Sequence, residues 1–252
     1  MNPAPPTSPP YARLVLIVPC YNEAHRLKIA AWHAHLAEEP NDWIVFVDDG
    51  STDGTLEMLT GFVRTHPRVE AIHLNRNHGK AGAVRYGVLH ALRLWPSEYI
   101  GYWDADLSAS LKLVHDFMTM LDLEPEALAA IGVRRQDASH RVHRPAWRRL
   151  TSWAFSHAAS AALNMRFHDT QCGAKVFRRR AAENIFREPF LSPWLFDIEV
   201  MARLIRFVGR KQARRAISEV HLREWRDTEK SRFFSNYASQ APRDLLRIWW
   251  RY

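Results

Sequence analysis

The sequence predicts an α/β fold, a mainly parallel sheet flanked by helices, and three observations lead there. Short apolar runs of strand length alternate with segments of helical spacing from residue 14 to residue 133. The polar clusters fall at the C-terminal ends of those runs, where an open parallel sheet collects its ligands. A chain of 252 residues with 47% apolar and 25% charged side chains suits one large globular domain, and the composition excludes fibrous, coiled-coil and disordered classes.

The elements follow in order. Leu14–Val18 is an unbroken Leu/Val/Ile run closed by Pro19, the pattern of a buried parallel strand that ends in a loop. Glu23–Glu38 has helical spacing at Leu27, Ala30, Ala31, Ala34 and Leu36. Trp43–Val47 is the second strand. It runs into Asp48-Asp49-Gly50-Ser51-Thr52-Asp53-Gly54, a turn in which Asp48 or Asp49 could cap the helix beginning near Thr55. Val69–Leu74 repeats the strand pattern, Gly79–Leu94 is helical, and Tyr99–Trp103 is a fourth strand leading into Asp104-Ala105-Asp106. Leu111–Leu121 is a further helix and Ala127–Val133 a further strand. The Arg/His-rich stretch 134–149 is too polar and too long for a tight turn and is expected to be a loop.

Lys and Arg outnumber Asp and Glu by 35 to 27, a net charge of +8, which points to an anionic partner. The N-terminus carries five prolines in its first ten residues and lacks the basic and apolar regions of a signal peptide, so a disordered tail over 1–12 and a cytoplasmic protein are expected. No run approaches the length of a spanning helix. Cys20 and Cys172 are too few for a disulfide framework and are expected to be free thiols.

Three clusters carry chemistry. Asp104 and Asp106 place two carboxylates two residues apart at a strand end, a hard-oxygen pair suited to Mg2+ or Mn2+, which take their other ligands from water and substrate phosphates. Read blandly, one of the two caps the following helix and the other is solvated. Asp48-Asp49 forms a second acidic pair at a neighbouring strand end, and crowded carboxylates repel unless cations or donors compensate. In Asn77-His78-Gly79-Lys80-Ala81-Gly82-Ala83-Val84-Arg85 the glycines let backbone N–H groups approach an anion at a helix N-terminus, with Lys80 and Arg85 adding charge. Neither a nucleotide-triphosphate loop nor a G-x-G-x-x-G fingerprint is present, which argues against ATPase and dehydrogenase readings.

Pro19-Cys20-Tyr21-Asn22-Glu23, Asp48 to Thr55, Gly79-Lys80-Ala81-Gly82-Ala83 and Asp104-Ala105-Asp106-Leu107-Ser108 stand in the order and spacing of the inverting GT-A glycosyltransferases of family two, which this chain resembles. Asp169-Thr170-Gln171-Cys172-Gly173-Ala174-Lys175 and Trp194-Leu195-Phe196-Asp197-Ile198-Glu199 are similar to the dolichyl-phosphate β-glucosyltransferase branch. The resemblance implies a GT-A (Rossmann-like) catalytic domain over 13–232. It places Pro19, Tyr21, Glu23, Asp48, Asp49, Lys80 and Asp104 at the nucleotide, Asp106 as principal metal ligand and Asp104 as its partner, with Asp104 and Asp106 serving catalysis. Arg134, Arg135 and Arg144 lie where relatives carry basic residues toward phosphates. Gln171, Lys230 and Arg232 are candidate acceptor contacts, whereas the Arg178–Arg180 run offers either a solvated helix or loop face, the commoner outcome, or a direct contact. Asp197 falls where hydroxyl-acceptor relatives place a catalytic base. With a phosphate acceptor it reads as a positioning residue, since a phosphate monoester is already ionised and needs no base. Trp225 with Lys230-Ser231-Arg232 departs from the family pattern in lacking the glycine usual before the serine.

The implied reaction moves a hexose, glucose from UDP-glucose, to a polyprenyl or dolichyl phosphate. A GDP-mannose donor and a saccharide hydroxyl acceptor stay open, because donor choice rests on few pocket contacts. A basic nucleic-acid-binding module is the reading from another class. No helix-turn-helix, finger or RNP signature supports it, and nucleic acid is not expected as a partner. The lipid is expected to be met at the cytoplasmic membrane face by a peripheral surface. Over 233–252, Phe234, Tyr237, Ala241, Leu245, Ile248, Trp249 and Tyr252 fall at three- or four-residue spacing, with Arg243, Arg247 and Arg251 elsewhere around the helix. Such a stripe either lies in a membrane interface or packs on the core.

Overall fold

The computed structural model describes residues 11–134, 160, 163, 165, 167–225 and 240–252. Seven strands form one sheet: β1 (Ala12–Cys20), β2 (Asp42–Asp48), β3 (Val69–His73), β4 (Ser97–Trp103), β5 (Ala129–Arg134), β6 (Ala174–Arg178) and β7 (Ile217–Leu222), in the order β3-β2-β1-β4-β6-β5-β7. All pairings are parallel except those of β6, which runs antiparallel to both β4 and β5. The helices are α1 (Ile29–Glu38), α2 (Thr55–Thr65), α3 (Gly79–Leu94), α4 (Val114–Leu123), α5 (Arg179–Ile185), α6 (Phe196–Val208), α7 (Arg210–Ala216) and α8 (Ala241–Arg251).

The winding determines where a ligand can enter. From β1 the chain steps outward through β2 to β3, and α3 then carries it back to lay β4 on the other side of β1. This reversal opens a crevice at the carboxyl ends of β1 and β4. Alternate residues of each strand serve opposite faces of the sheet. Val15, Ile17, Val45, Val47, Ile100 and Tyr102 belong to the core beneath α3, α5 and α6. Leu14, Leu16, Val18, Ile44, Phe46, Tyr99 and Trp103 belong to the core beneath α1, α2 and α4. Two covered faces account for continuous apolar strands that show no polar alternation.

Four expectations shift. β1 begins at Ala12, which is fully buried, one residue before the expected domain start. α1 begins at Ile29 rather than Glu23, because the N–H groups of Glu23 and Ala24 are drawn to the Thr55 hydroxyl (2.8 Å) and the Asp53 carboxylate (3.2 Å) of the next loop. β6 and β7 were not foreseen, and the antiparallel course of β6 sends its C-terminal end away from the crevice. Arg178 and Arg179 therefore lie at the opposite end of the sheet, Arg178 bonding the carbonyls of Leu121 and Ala127 and Arg179 those of Leu92 and Trp95. They are structural clamps and not acceptor contacts. In the C-terminal stripe, Ala241, Leu245, Ile248 and Tyr252 pack on the core, whereas Trp249 points outward. Phe234 and Tyr237 lie outside the described residues. Both cysteines are free and buried. No helix among the described residues is long and apolar enough to cross a membrane.

Candidate active site

The crevice is assembled by loops that bond to one another. Register sets Cys20 level with Asp48, so the loops after β1 and β2 leave the sheet side by side. Asn22, at φ 55°, donates its N–H to the Ser51 hydroxyl (3.0 Å) and accepts the N–H of Thr52 (2.9 Å). Glu23 adds its bond to Thr55 and an ion pair with Arg26 at 2.5 Å. Pro19, Tyr21 and Glu23 are thereby fixed at the rim of the crevice, each only partly buried.

The second acidic pair is occupied. Asp48 is fully buried, accepting the Ser51 N–H (3.2 Å) and meeting His73 Nδ1 at 2.7 Å. Asp49 accepts the His78 N–H at 2.7 Å, and burial raises its carboxyl above the ordinary value. Neither caps α2. Asp53, one residue ahead of the N-cap Gly54, accepts both the N–H (3.0 Å) and the hydroxyl (2.5 Å) of Thr55. The two rim aspartates instead hold down the loops that flank the crevice, Asp49 fastening the entrance of α3. Gly50, at φ 69°, completes the turn: a side chain there would strain the backbone and collide with the main chain of Arg76.

At the centre lies Asp104, immediately after β4. Its N–H donates to the Gly173 carbonyl (3.1 Å), and Lys80 in the first turn of α3 reaches its Oδ1 at 2.5 Å. Burial raises the Asp104 carboxyl, against the downward pull of Lys80. On Lys80 burial acts downward, but the carboxylates of Asp104 and Asp197 outweigh it and hold the ammonium above its usual range. Asp106 folds back on its own turn, its Oδ1 accepting the N–H (2.9 Å) and hydroxyl (2.8 Å) of Ser108. Leu107, between Asp106 and Ser108, sits at φ 54°, the left-handed region that tight turns use.

The donor set at Asp104 and Asp106 fits Mg2+ or Mn2+. Two hard carboxylates stand two residues apart after β4, and a side chain at Gly173 would overlap the Asp104 carboxylate, so the close approach of the two loops depends on glycine. Among the described residues no three His, Cys, Asp or Glu side chains gather into a metal cage. An ion held here would complete its shell from water and phosphate oxygens, the habit of these cations.

Behind Asp104 a buried network fixes the second wall. Lys175 of β6 is fully buried and donates to the carbonyls of Thr170 (3.2 Å) and Cys172 (2.6 Å) and to Asp197 Oδ1 (2.5 Å). Tyr102, level with Lys175 across the β4–β6 pair, donates its hydroxyl to the same oxygen at 2.5 Å. Burial and the Asp197 carboxylate hold that phenol far above its ordinary range. Asp197, nearly buried at the start of α6, thus has a carboxylate oxygen taken by two donors, a positioning arrangement for the 170–173 loop. Burial pushes the Cys172 thiol up to about 12, which leaves it inert as a nucleophile.

Arg134, at the end of β5, grips Asp169 through Nε (2.5 Å) and Nη2 (2.8 Å) and lies 5.1 Å from the Trp225 ring centre. Asp169 also accepts the Gln171 N–H at 3.1 Å, which brings Arg134 and Gln171 to the same rim. Arg135, Arg144, Lys230 and Arg232 lie outside the described residues. Sequence reasoning quoted the Asp169–Lys175 segment without assigning roles to Asp169, Gly173 or Lys175, and it missed Tyr102 and His73. The one available signal was a lysine interrupting the apolar run Ala174–Phe177.

Residues 15–186 match the family described as Glycosyl transferase family 2. Similar curated proteins include the dolichyl-phosphate beta-glucosyltransferase of Drosophila melanogaster, 29% identical over 96% of this chain and 76% of that one. The protein of the same name from Mus musculus is 30% identical over 96% and 76%. Among solved structures, glucosyl-3-phosphoglycerate synthase from Mycobacterium tuberculosis, crystallised with Mn2+, uridine-diphosphate and glucosyl-3-phosphoglycerate, aligns with a TM-score of 0.65 at 16% identity. It covers 94% of this chain and 80% of its own, and it shares the fold. Matched over more than half its length and carrying that family's acidic strand ends around one crevice, the chain belongs to glycosyl transferase family 2 and is a glycosyltransferase of the GT-A fold.

Proposed function

We propose that this enzyme transfers glucose from UDP-glucose to a polyprenyl phosphate of the dolichyl type, with inversion, at the cytoplasmic face of a membrane. The observation that carries the reading is the similarity, over 95 to 96% of the chain, to Drosophila, Dictyostelium and mouse proteins named dolichyl-phosphate beta-glucosyltransferase. The M. tuberculosis neighbour, crystallised with Mn2+ and UDP-glucose, supports a nucleotide-sugar donor and a divalent cofactor.

Asp106 and Asp104 would hold Mg2+ or Mn2+, which when bound neutralises charge on the departing nucleoside diphosphate. Lys80 sets the Asp104 carboxylate and adds a cation at the N-terminus of α3, where backbone N–H groups also favour an anion. Pro19, Tyr21, Glu23, Asp48 and Asp49 shape the nucleotide side, the aspartates by holding their loops rather than by presenting free oxygens. Asp197 is engaged by Lys175 and Tyr102, which suits an acceptor that arrives already ionised. Arg134 and Gln171 line the acceptor side, with Arg135, Arg144, Lys230 and Arg232 as further phosphate contacts.

The test offers the purified chain UDP-glucose and GDP-mannose separately, with a short polyprenyl phosphate, with and without Mn2+, and weighs the lipid product. A glucosyl phospholipid formed only with UDP-glucose and metal supports the reading. A mannosyl lipid, or a glucoside formed on a sugar hydroxyl in its place, replaces it.

A further inference from the structure

Helix α8 is apolar on two opposite faces. Inward, Ile248 is 1% exposed, and Ala241, Leu245 and Tyr252 pack beside it on the core. The Tyr252 hydroxyl is locked between Arg203 Nε and Glu199 Oε1, both at 3.0 Å, and Arg206 donates to the Arg251 carbonyl. Outward stand Leu246, Trp249 and Trp250, at 64%, 59% and 88% exposure, among the exposed arginines 243, 247 and 251. Arg243, Leu246, Arg247 and Trp250 follow three- and four-residue spacing and so share one outer stripe. Core packing accounts for none of these side chains, and Trp250 is the most exposed large apolar residue among those described.

We propose that this outer face of α8 docks on an anionic phospholipid bilayer. The inference rests on the polyprenyl-phosphate reading of the active site, since a substrate confined to a membrane requires the enzyme to reach that surface. Three arginines stand against one acid, Asp244, a balance complementary to anionic head groups. Indole rings favour the membrane interface, where an apolar body and a polar N–H are both accommodated. Arginines and outward aromatics share the solvent-facing side of Ala241–Arg251, the pattern of a helix that lies along a membrane surface. A second copy is the poorer occupant, because a twofold contact on this face would set arginine against arginine.

The experiment is flotation of the full chain with vesicles of phosphatidylcholine alone or with phosphatidylserine added. The chain rises with the anionic vesicles and stays behind with the neutral ones. The pair Trp249→Ser/Trp250→Ser lowers partitioning about tenfold or more, and each of Arg243→Gln and Arg247→Gln lowers it about fivefold. Melting temperature is unchanged in these variants, and so is transfer to a short polyprenyl phosphate in vesicle-free solution. Equal flotation of the tryptophan variant overturns the proposal, as does a solution dimer that the same substitutions abolish. Loss of transfer in the parent chain with flotation intact refutes the lipid-phosphate reading instead.

Discussion

Asp104 and Gly173 touch backbone to backbone and side chain to main chain: the Asp104 N–H donates to the Gly173 carbonyl at 3.1 Å, and no side chain fits at 173 without entering the Asp104 carboxylate. Through this contact the loop ahead of β6 determines where the acidic strand end of β4 can stand. Gly173→Ala is expected to displace Asp104 and break its pairing with Lys80. Turnover falls by at least about a hundredfold, while the overpacking itself costs about 1–3 kcal/mol. Steady-state kinetics beside a thermal melt separates the two effects, and unchanged kcat/KM contradicts the assignment.

Lys175 is fully buried, held by Asp197 and two carbonyls. Lys175→Met leaves the Asp197 charge buried without its ammonium partner, at a cost of about 3–5 kcal/mol. In Lys175→Met/Asp197→Leu no charge is stranded, and most of that stability returns. A double-mutant cycle by denaturant unfolding measures the coupling. Additive losses would mean that the pair does not act as a unit.

Asp53 ties the loops after β1 and β2 to the start of α2. Slight burial acts upward on its carboxyl, but donors from Thr55 and Ala24 outweigh it and hold the group below its ordinary value. The stabilisation is therefore complete above the unfolded value of about 3.9 and fades as pH falls through the lowered one. Asp53→Ala should cost about 1 kcal/mol at neutral pH, the order expected for losing the acceptor of these local hydrogen bonds. The gap between parent and variant melting temperatures should close in acid below about pH 4. A gap that persists at pH 2 contradicts this role for the carboxylate.

Asp197 is engaged rather than presented, so the pH profile of transfer to a phosphate acceptor should show no essential base contributed by this residue. Asp197→Asn keeps the Tyr102 and Lys175 hydrogen bonds in part and is expected to lower kcat less than about tenfold, with the shape of the profile retained. Loss of the acidic limb of the profile in this variant, the rise in rate as a base loses its proton, would make Asp197 a catalytic base.

Much of this was legible in the sequence. Strands with both faces covered are uniformly apolar, so β1, β2 and β4 stood out, and the motifs at their ends marked the crevice. β6 and β7 did not: β6 is five residues long with Lys175 inside it, and a buried lysine reads as a break until its partner Asp197, 22 positions away, is known. The start of α1 was misjudged because Glu23 and Ala24 bond to Thr55 and Asp53, a contact between loops that periodicity cannot register. Arg178 and Arg179 read as a solvated face or as acceptor contacts, and their carbonyl clamps escaped notice, because charge is visible in sequence and strand direction is not. The C-terminal stripe was found, but its outward face is the one that carries Leu246 and Trp250, which the inward spacing passed over.

We propose that Asp104 and Asp106 seat a divalent ion that binds the donor diphosphate. Calorimetric titration of UDP, with and without Mn2+, into the parent chain and into Asp106→Ala tests this directly. The predicted result is that Mn2+ tightens UDP binding to the parent at least about tenfold and leaves the variant, folded to the same melting temperature, unaffected. Equal tightening in both proteins would contradict it.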